Sequence, residues 1–186
     1  MKKLKLYTVD TDYTKYLYDI DNRVMYWERD TYKSERKYIG IVLRINDFEY
    51  FAPLSSPKDN DYYYKKGEKL VKKNTIPIIR LVTSEGQLLG KIKLSYMIPV
   101  KQEQLTLYDI NNEKDHKYKS LVIKEMVCIR KCREEITKNA LVLYNQKMNG
   151  YDNVSYLDSV LDFKRMEDSC RKYSSKNISD TEKQII

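Results

Sequence analysis

The segment Tyr38 to Lys58, YIGIVLRINDFEYFAPLSSPK, constrains the fold more than any other part of the chain. Tyr38-Ile39-Gly40-Ile41-Val42-Leu43 is apolar and rich in β-branched residues, which suits a strand. Asn46 and Asp47 both tolerate positive φ, so the spacing predicts a tight hairpin turn there. Phe48-Glu49-Tyr50-Phe51-Ala52 then returns as the partner strand. Pro53 has no N–H to donate, so pairing is expected to end or bulge at it. The strand exit carries Leu54, Ser55, Ser56, Pro57 and Lys58. A lysine beside two hydroxyls can neutralise and hydrogen-bond a phosphate. The same string also suits an ordinary Ser-Pro loop.

The flanking sequence extends this sheet on both sides. Leu4 to Val9 reads as a first strand, with Leu4, Leu6 and Thr8 on one face. Asp10-Thr11-Asp12 is an N-cap cluster for a helix carrying Tyr13, Tyr16, Leu17 and Ile20. Asp21 to Lys37 is polar and irregular; it holds Trp27, Tyr32 and the basic residues Arg23, Arg29, Lys33, Arg36 and Lys37. After the hairpin, Asp59 to Lys73 is charged and contains Tyr62-Tyr63-Tyr64. Three successive tyrosines cannot share one face of a strand, so at least one is expected to be exposed. Ile76 to Val82 and Gln87 to Leu94 are strands around the turn Ser84-Glu85-Gly86, with Gly90 as a bulge signal. Ser95 to Val100 gives a short last strand.

The second half changes period. Leu105, Leu107 and Ile110 lead into a polar linker. Tyr118 to Ile136 carries a helical stripe that continues as helix from Ala140 to Met148, with Asn149-Gly150 as its stop. Ser155 is expected to cap a last helix. One domain over residues 1–173 is therefore predicted, with a β core over about 1–100 and a helical part over about 101–173. Residues 174–186 read as a flexible tail.

Lys plus Arg number 35 against 27 acids, a net charge of +8 that favours a polyanionic partner. Eighteen tyrosines interleaved with these cations suit single-stranded nucleic acid, and an AT-rich codon bias would give the same composition. No apolar run approaches a membrane span, and the start MKKLKLYTVD lacks a secretory h-region. Three sparse cysteines point to a reducing compartment, consistent with a cytoplasmic location.

The inventory for chemistry is narrow. A single histidine, His116, excludes a paired-histidine ribonuclease mechanism and reads as a solvated linker residue. Cys128 and Cys132 lie on one helix face without two further zinc ligands and read as packing residues. Asp19/Asp21 and Asp59/Asp61 are acid pairs that can bind Mg²⁺ or simply face solvent. Phosphate-cradling glycine loops are absent from the sequence. Ser, Thr, Tyr, Lys and Arg remain, and that set can still cut RNA. The 2′-hydroxyl is the nucleophile, so a protein need only orient it, move a proton and stabilise the phosphorane.

Arg36-Lys37-Tyr38-Ile39-Gly40-Ile41-Val42-Leu43 and Tyr50-Phe51-Ala52-Pro53-Leu54-Ser55-Ser56-Pro57-Lys58 resemble the signature of ToxN/AbiQ endoribonucleases, the toxins of type III toxin–antitoxin systems. Leu94 to Val100 is similar to that family's F-M-I-P-[IV] stretch, and Leu6-Tyr7-Thr8 and Tyr13 to Leu17 also fit. The resemblance covers roughly residues 4–165. It implies an α+β fold: a Kid/MazF-like (SH3-like) antiparallel β-barrel with inserted and C-terminal helices. It implies metal-independent, cofactor-free RNA cleavage leaving a 2′,3′-cyclic phosphate and a 5′-hydroxyl, in phage abortive infection. It further implies an RNA antitoxin, a processed repeat folded as a pseudoknot, held with the toxin in a closed protein–RNA assembly. Cellular or phage RNA would be the substrate, with no role for a membrane.

By position, the resemblance places the active site at Tyr32, Arg36, Ser55, Ser56 and Lys58. Arg36 stands where one branch has lysine, and arginine binds phosphate well but donates a proton poorly. Lys58 and Arg36 are expected to hold the scissile phosphate, Ser56 to orient it with support from Ser55, and Tyr32 to position RNA or relay a proton. Lys33, Lys37, Tyr62, Tyr63, Tyr64, Lys65 and Lys66 are the expected RNA-binding residues. A non-catalytic RNA-binding module and a barrel toxin acting on a protein such as gyrase are the alternatives; neither needs the Ser-Ser-Pro-Lys cluster.

Overall fold

The structure, a computed structural model, describes residues 4–26, 36–151 and 153–173. Tyr32, Lys33, Trp27 and the expected tail lie outside the described residues.

Among the described residues nine strands form in chain order: β1 (Lys5–Val9), β2 (Tyr38–Ile45), β3 (Phe48–Ser55), β4 (Tyr62–Lys65), β5 (Glu68–Val71), β6 (Ile78–Val82), β7 (Leu88–Lys93), β8 (Ile98–Pro99) and β9 (Leu105–Leu107). Four α-helices accompany them among the same residues: α1 (Thr11–Ile20), α2 (His116–Lys131), α3 (Arg133–Met148) and α4 (Phe163–Lys172). The main sheet is antiparallel, in the order β6-β7-β3-β2-β1-β9. The α+β class is as expected. The barrel is not closed: among the described residues β6 and β9 end the sheet without pairing to each other.

The β2–β3 hairpin is the centre of the sheet. Asn46 and Asp47 take φ of 48° and 65°, as the turn requires. Pro53 does not end the pairing, contrary to expectation. It stays in register opposite Tyr38, and the irregularity falls instead on β2 between Gly40 and Leu43. The next N–H, on Leu54, donates to the Lys37 carbonyl at 3.0 Å, so the ladder resumes at once. Gly40 is required where it stands, because a Cβ there would lie 2.0 Å from the Phe51 ring. Along its far edge β3 changes partner, from β8 at Tyr50 and Phe51 to β7 at Leu54 and Ser55. That switch bends the sheet and delivers the β3 exit onto the end of β7.

α1 is capped by Asp10, whose carboxylate accepts the Tyr13 N–H at 2.9 Å. The long helix expected over Tyr118 to Met148 breaks at Cys132, whose backbone leaves helical geometry and so separates α2 from α3. Leu105 to Leu107, read as a lead into a linker, is the edge strand β9 beside β1. Ser155 does not cap the last helix. It opens a 3₁₀ turn, and Asp162 caps α4 by accepting the Arg165 N–H. His116 is the exposed first residue of α2, behind the N-cap Asp115.

One apolar cluster runs from Leu4 to Tyr173 and holds the helices on the sheet. Part of the tyrosine excess belongs to it. Tyr13, Tyr38 and Tyr50 are fully buried, and each hydroxyl finds an acceptor: Pro99 O, Met25 O and Glu167 Oε1. Such rings add apolar burial and satisfy their polar tips. α2 lies over Gly90 of β7, where a Cβ would stand 2.4 Å from Glu125 Oε1 and 3.3 Å from the Ser55 carbonyl. A bulge next to Gly90, between Leu81 and Val82 of the facing strand, accompanies this close approach.

Candidate active site

The β3 exit is held by a buried carboxylate. Pro57 and Lys58 lead into a 3₁₀ turn at Asp59–Asp61. The Lys58 N–H donates to Asp61 Oδ2 at 2.9 Å, and the Asp61 N–H returns to the Lys58 carbonyl at 2.9 Å. Asp61 is 1% exposed. Arg80 Nε reaches its Oδ1 at 3.2 Å, and the Lys91 ammonium binds its Oδ2. Burial alone would raise the Asp61 carboxyl; the bonds from Lys91 and the Lys58 amide, with the charges of Lys91 and Arg80, hold it below the usual range. This residue is therefore an ion-paired anchor and not an open metal ligand. Asp21 is likewise taken, by Arg23 at 2.6 Å. Among the described residues no three metal-capable side chains come together.

The register shows which side chains share this face. Ser55 of β3 and Arg80 of β6 both stand opposite Lys91 of β7. Directly opposed residues project to the same side of a sheet, and so does the residue two further along, Lys93. Lys93 is half-buried, with its ammonium 4.9 Å from the Tyr96 ring centre. Burial lowers its pKa below the ordinary lysine value, and the charges of Lys91, Lys58 and Arg36 lower it further, against the opposing pull of Asp61.

Of the expected catalytic residues, Arg36, Ser55, Ser56 and Lys58 come together here, and Tyr32 lies outside the described residues. Arg36 Nη1 donates to the Leu54 carbonyl at 3.1 Å, which fixes the guanidinium beside the β3 exit. Among the described residues its buried Nε has no hydrogen-bond partner. Ser55 is half-buried and its hydroxyl donates to the Ser56 carbonyl at 3.5 Å. Ser56 and Lys58 are exposed. Lys37 turns away, with its ammonium 4.6 Å from the centre of the Tyr108 ring.

The charged segment after Lys58 is a separate hairpin, β4–β5, which sequence reading left without structure. It starts at the Asp61 anchor and turns at Lys66 and Gly67, both with positive φ. Tyr64 is 73% and Tyr63 42% exposed, while Tyr62 is half-buried under the Lys69 ammonium, 4.2 Å from its ring centre. Lys65 and Lys66 are exposed at its tip.

Sequence reading missed Arg80, Lys91 and Lys93. A signal was present: Lys91 and Lys93 alternate inside the apolar run Leu88 to Leu94. Two lysines on one face of a buried strand require a compensating anion or a bound one.

The family profile for toxin ToxN of type III toxin–antitoxin systems matches residues 5–171. The chain belongs to the ToxN toxin family. It is 33% identical over 162 residues to endoribonuclease ToxN of Pectobacterium atrosepticum, covering 83% of this chain and 90% of that one. It is 31% identical over 180 residues to endoribonuclease AbiQ of Lactococcus lactis subsp. lactis, covering 94% and 91%. Among solved structures, one of a bacterial antiviral system regulated by a processed non-coding RNA is similar at a TM-score of 0.78 and 28% identity, over 92% of this chain and 99% of that one. The structure of AbiQ, a lactococcal anti-phage endoribonuclease, shares the fold at a TM-score of 0.76 and 24% identity, over 91% and 97%. Most of each of these chains is thus matched, and the residues of this chain that the family profile spans include the strand exit.

Proposed function

We propose that this chain is an endoribonuclease toxin of a type III system, acting at the face formed by Arg36, Ser55, Ser56 and Lys58. One observation carries the reading. Five cations, Arg36, Lys58, Arg80, Lys91 and Lys93, gather at a strand exit around one buried carboxylate, Asp61. Arg80 and Lys91 are spent on Asp61, which leaves the positive charge of the others for a bound polyanion.

The chemistry follows from what is present. An RNA phosphate seated between Lys58 and Arg36 meets two cations and the Ser56 hydroxyl. The adjacent 2′-oxygen attacks phosphorus, and the bond to the 5′-oxygen breaks. The cations stabilise the extra negative charge of the phosphorane. A 2′,3′-cyclic phosphate and a 5′-hydroxyl result. An internal nucleophile needs no metal to generate it.

The β4–β5 hairpin beside this face serves as an RNA platform, with Tyr63 and Tyr64 for bases and Lys65 and Lys66 for phosphates. The cytoplasmic repeat RNA that the toxin trims and is then inhibited by would lie across both, bridging neighbouring copies in a closed assembly. A Kid/MazF-like origin for the bent sheet belongs to the same reading, supported by the partner change along β3.

The test is to co-express the chain with its upstream repeats, purify it, and analyse the RNA it retains and the RNA it cuts. Retained RNA with 2′,3′-cyclic phosphate ends, and toxin activity on release, is the expected result. RNA binding without cleavage would leave a non-catalytic module instead.

A further inference from the structure

Beyond the residues that the strand-exit motif supplies, the cleavage chemistry requires a proton for the departing 5′-oxygen. Arginine, the residue type at position 36, binds phosphate well but is a poor proton donor. Lys91 is committed to Asp61. Lys93 differs from both. It stands two residues along β7 from Lys91, on the face that Ser55 shares. Among the described residues no carboxylate comes within ion-pair distance of it. Its charged neighbours come from every element around it: Lys91 on the same strand, Lys58 and Asp61 after β3, and Arg36 before β2. Tyr96 covers its ammonium from the turn that follows β7.

We infer that Lys93 is a catalytic residue, the general acid that protonates the leaving 5′-oxygen during RNA cleavage. The inference rests on the ribonuclease reading above. In the step, the 2′-oxygen forms its bond to phosphorus and gives its proton to solvent water. The P–O5′ bond breaks, and its electron pair takes a proton from the Lys93 ammonium. The resulting neutral amine is reprotonated by solvent before the next turnover. Burial and neighbouring cations favour this transfer, because the proton leaves a site where a positive charge is held at a cost.

The test uses an RNA that the wild-type protein cuts at one mapped linkage, and a second RNA with sulfur in place of the 5′-bridging oxygen there. A thiolate leaves without being protonated. Lys93→Arg and Lys93→Ala should each cut the ordinary RNA at least ~10²-fold more slowly than wild type. Both should cut the sulfur-substituted RNA at close to the wild-type rate. The alkaline limb of the wild-type pH profile should disappear in Lys93→Arg. Near-wild-type cleavage of ordinary RNA by Lys93→Arg would show that charge alone suffices and would overturn the inference. Equal losses on both RNAs by both variants would mean a structural or binding role and would also overturn it. A wild-type protein inert toward every RNA tested would instead bring down the nuclease reading, and this inference with it.

Discussion

Asp61 and Lys91, 30 residues apart in the chain, form a buried ion pair beneath the β3 exit. The carboxylate accepts the Lys58 amide as well, so one side chain sets both the strand stack and the position of the strand-exit loop. Asp61→Ala leaves Arg80 and Lys91 buried without their anion. A loss of about 3–5 kcal/mol in urea unfolding is expected. The pH dependence has a definite sign. The folded carboxyl lies below its ordinary value, so its stabilisation is present above the unfolded pKa and is lost as pH falls through the folded one. Acid unfolding of Asp61→Ala should accordingly be shallower than that of wild type, and an unchanged acid limb would count against the anchor.

Lys58 is exposed, and its backbone, not its ammonium, makes the bond to Asp61. Lys58→Ala should therefore fold to within about 0.5 kcal/mol of wild type. Cleavage should fall on the order of 10²-fold, the loss typical of one transition-state contact. Comparing unfolding midpoints with single-turnover rates checks both halves. A variant that is stable and fully active removes Lys58 from the site.

Cleavage by the wild type should continue in excess EDTA. The 2′-hydroxyl is already in place as nucleophile, and the Asp61 carboxylate is occupied by cations. End-group analysis in chelator should still show the cyclic phosphate. Products with 3′-hydroxyl and 5′-phosphate ends, formed only with metal, would point to a different nuclease.

The local devices were legible in the sequence, and the long-range ones were not. The Asn46-Asp47 turn and the Asp10 cap depend on a few adjacent residues, and both stand as read. Pro53 was misread because the loss of one N–H was treated as decisive; the Leu54 N–H restores the ladder one residue later. Asp61 looked like half of a solvent-facing acid pair. Its real partners, Arg80 and Lys91, are 19 and 30 residues away, and only the β3–β7–β6 stack brings them together. The helix break at Cys132 was hidden for a related reason. The apolar stripe runs through it, and tertiary packing places Ile129 and Ile136 in the core on either side. Of the candidate site residues, those at the strand exit carried a motif, while Lys93, inferred above, was visible only as an oddly placed charge.

Glu125 supplies a second pH-dependent term of opposite sign. Its carboxyl is buried against Gly90 behind Ser55, and burial raises its pKa from 4.5 to about 7. A raised folded pKa means that the folded state holds the proton more tightly. The stabilisation is full below 4.5 and is lost as pH rises through about 7. Glu125→Gln has no proton to lose, so it should gain on wild type as pH rises, by up to ~3 kcal/mol above neutrality. Urea midpoints of both proteins on either side of neutrality measure this. A constant difference between them would show that Glu125 is not protonated in the fold.

The β4–β5 hairpin separates stacking from charge. It is a two-stranded unit outside the main sheet, and the 73%-exposed Tyr64 ring packs on little of the protein. Tyr64→Ala therefore removes almost no core contact and should change stability by less than about 0.5 kcal/mol. If a base stacks on that ring, RNA affinity should fall by ~1–3 kcal/mol. No charge is lost, so the slope of log affinity against log salt should stay as in wild type. Lys65→Ala and Lys66→Ala should behave differently. Each removes one phosphate contact and should reduce that slope by about one. Filter binding of the retained RNA over a range of salt concentrations resolves the two effects. A Tyr64→Ala protein that binds as tightly as wild type, beside lysine variants with reduced slopes, would make the hairpin a purely electrostatic contact. Unchanged binding and slope in all three would move the RNA off the hairpin altogether.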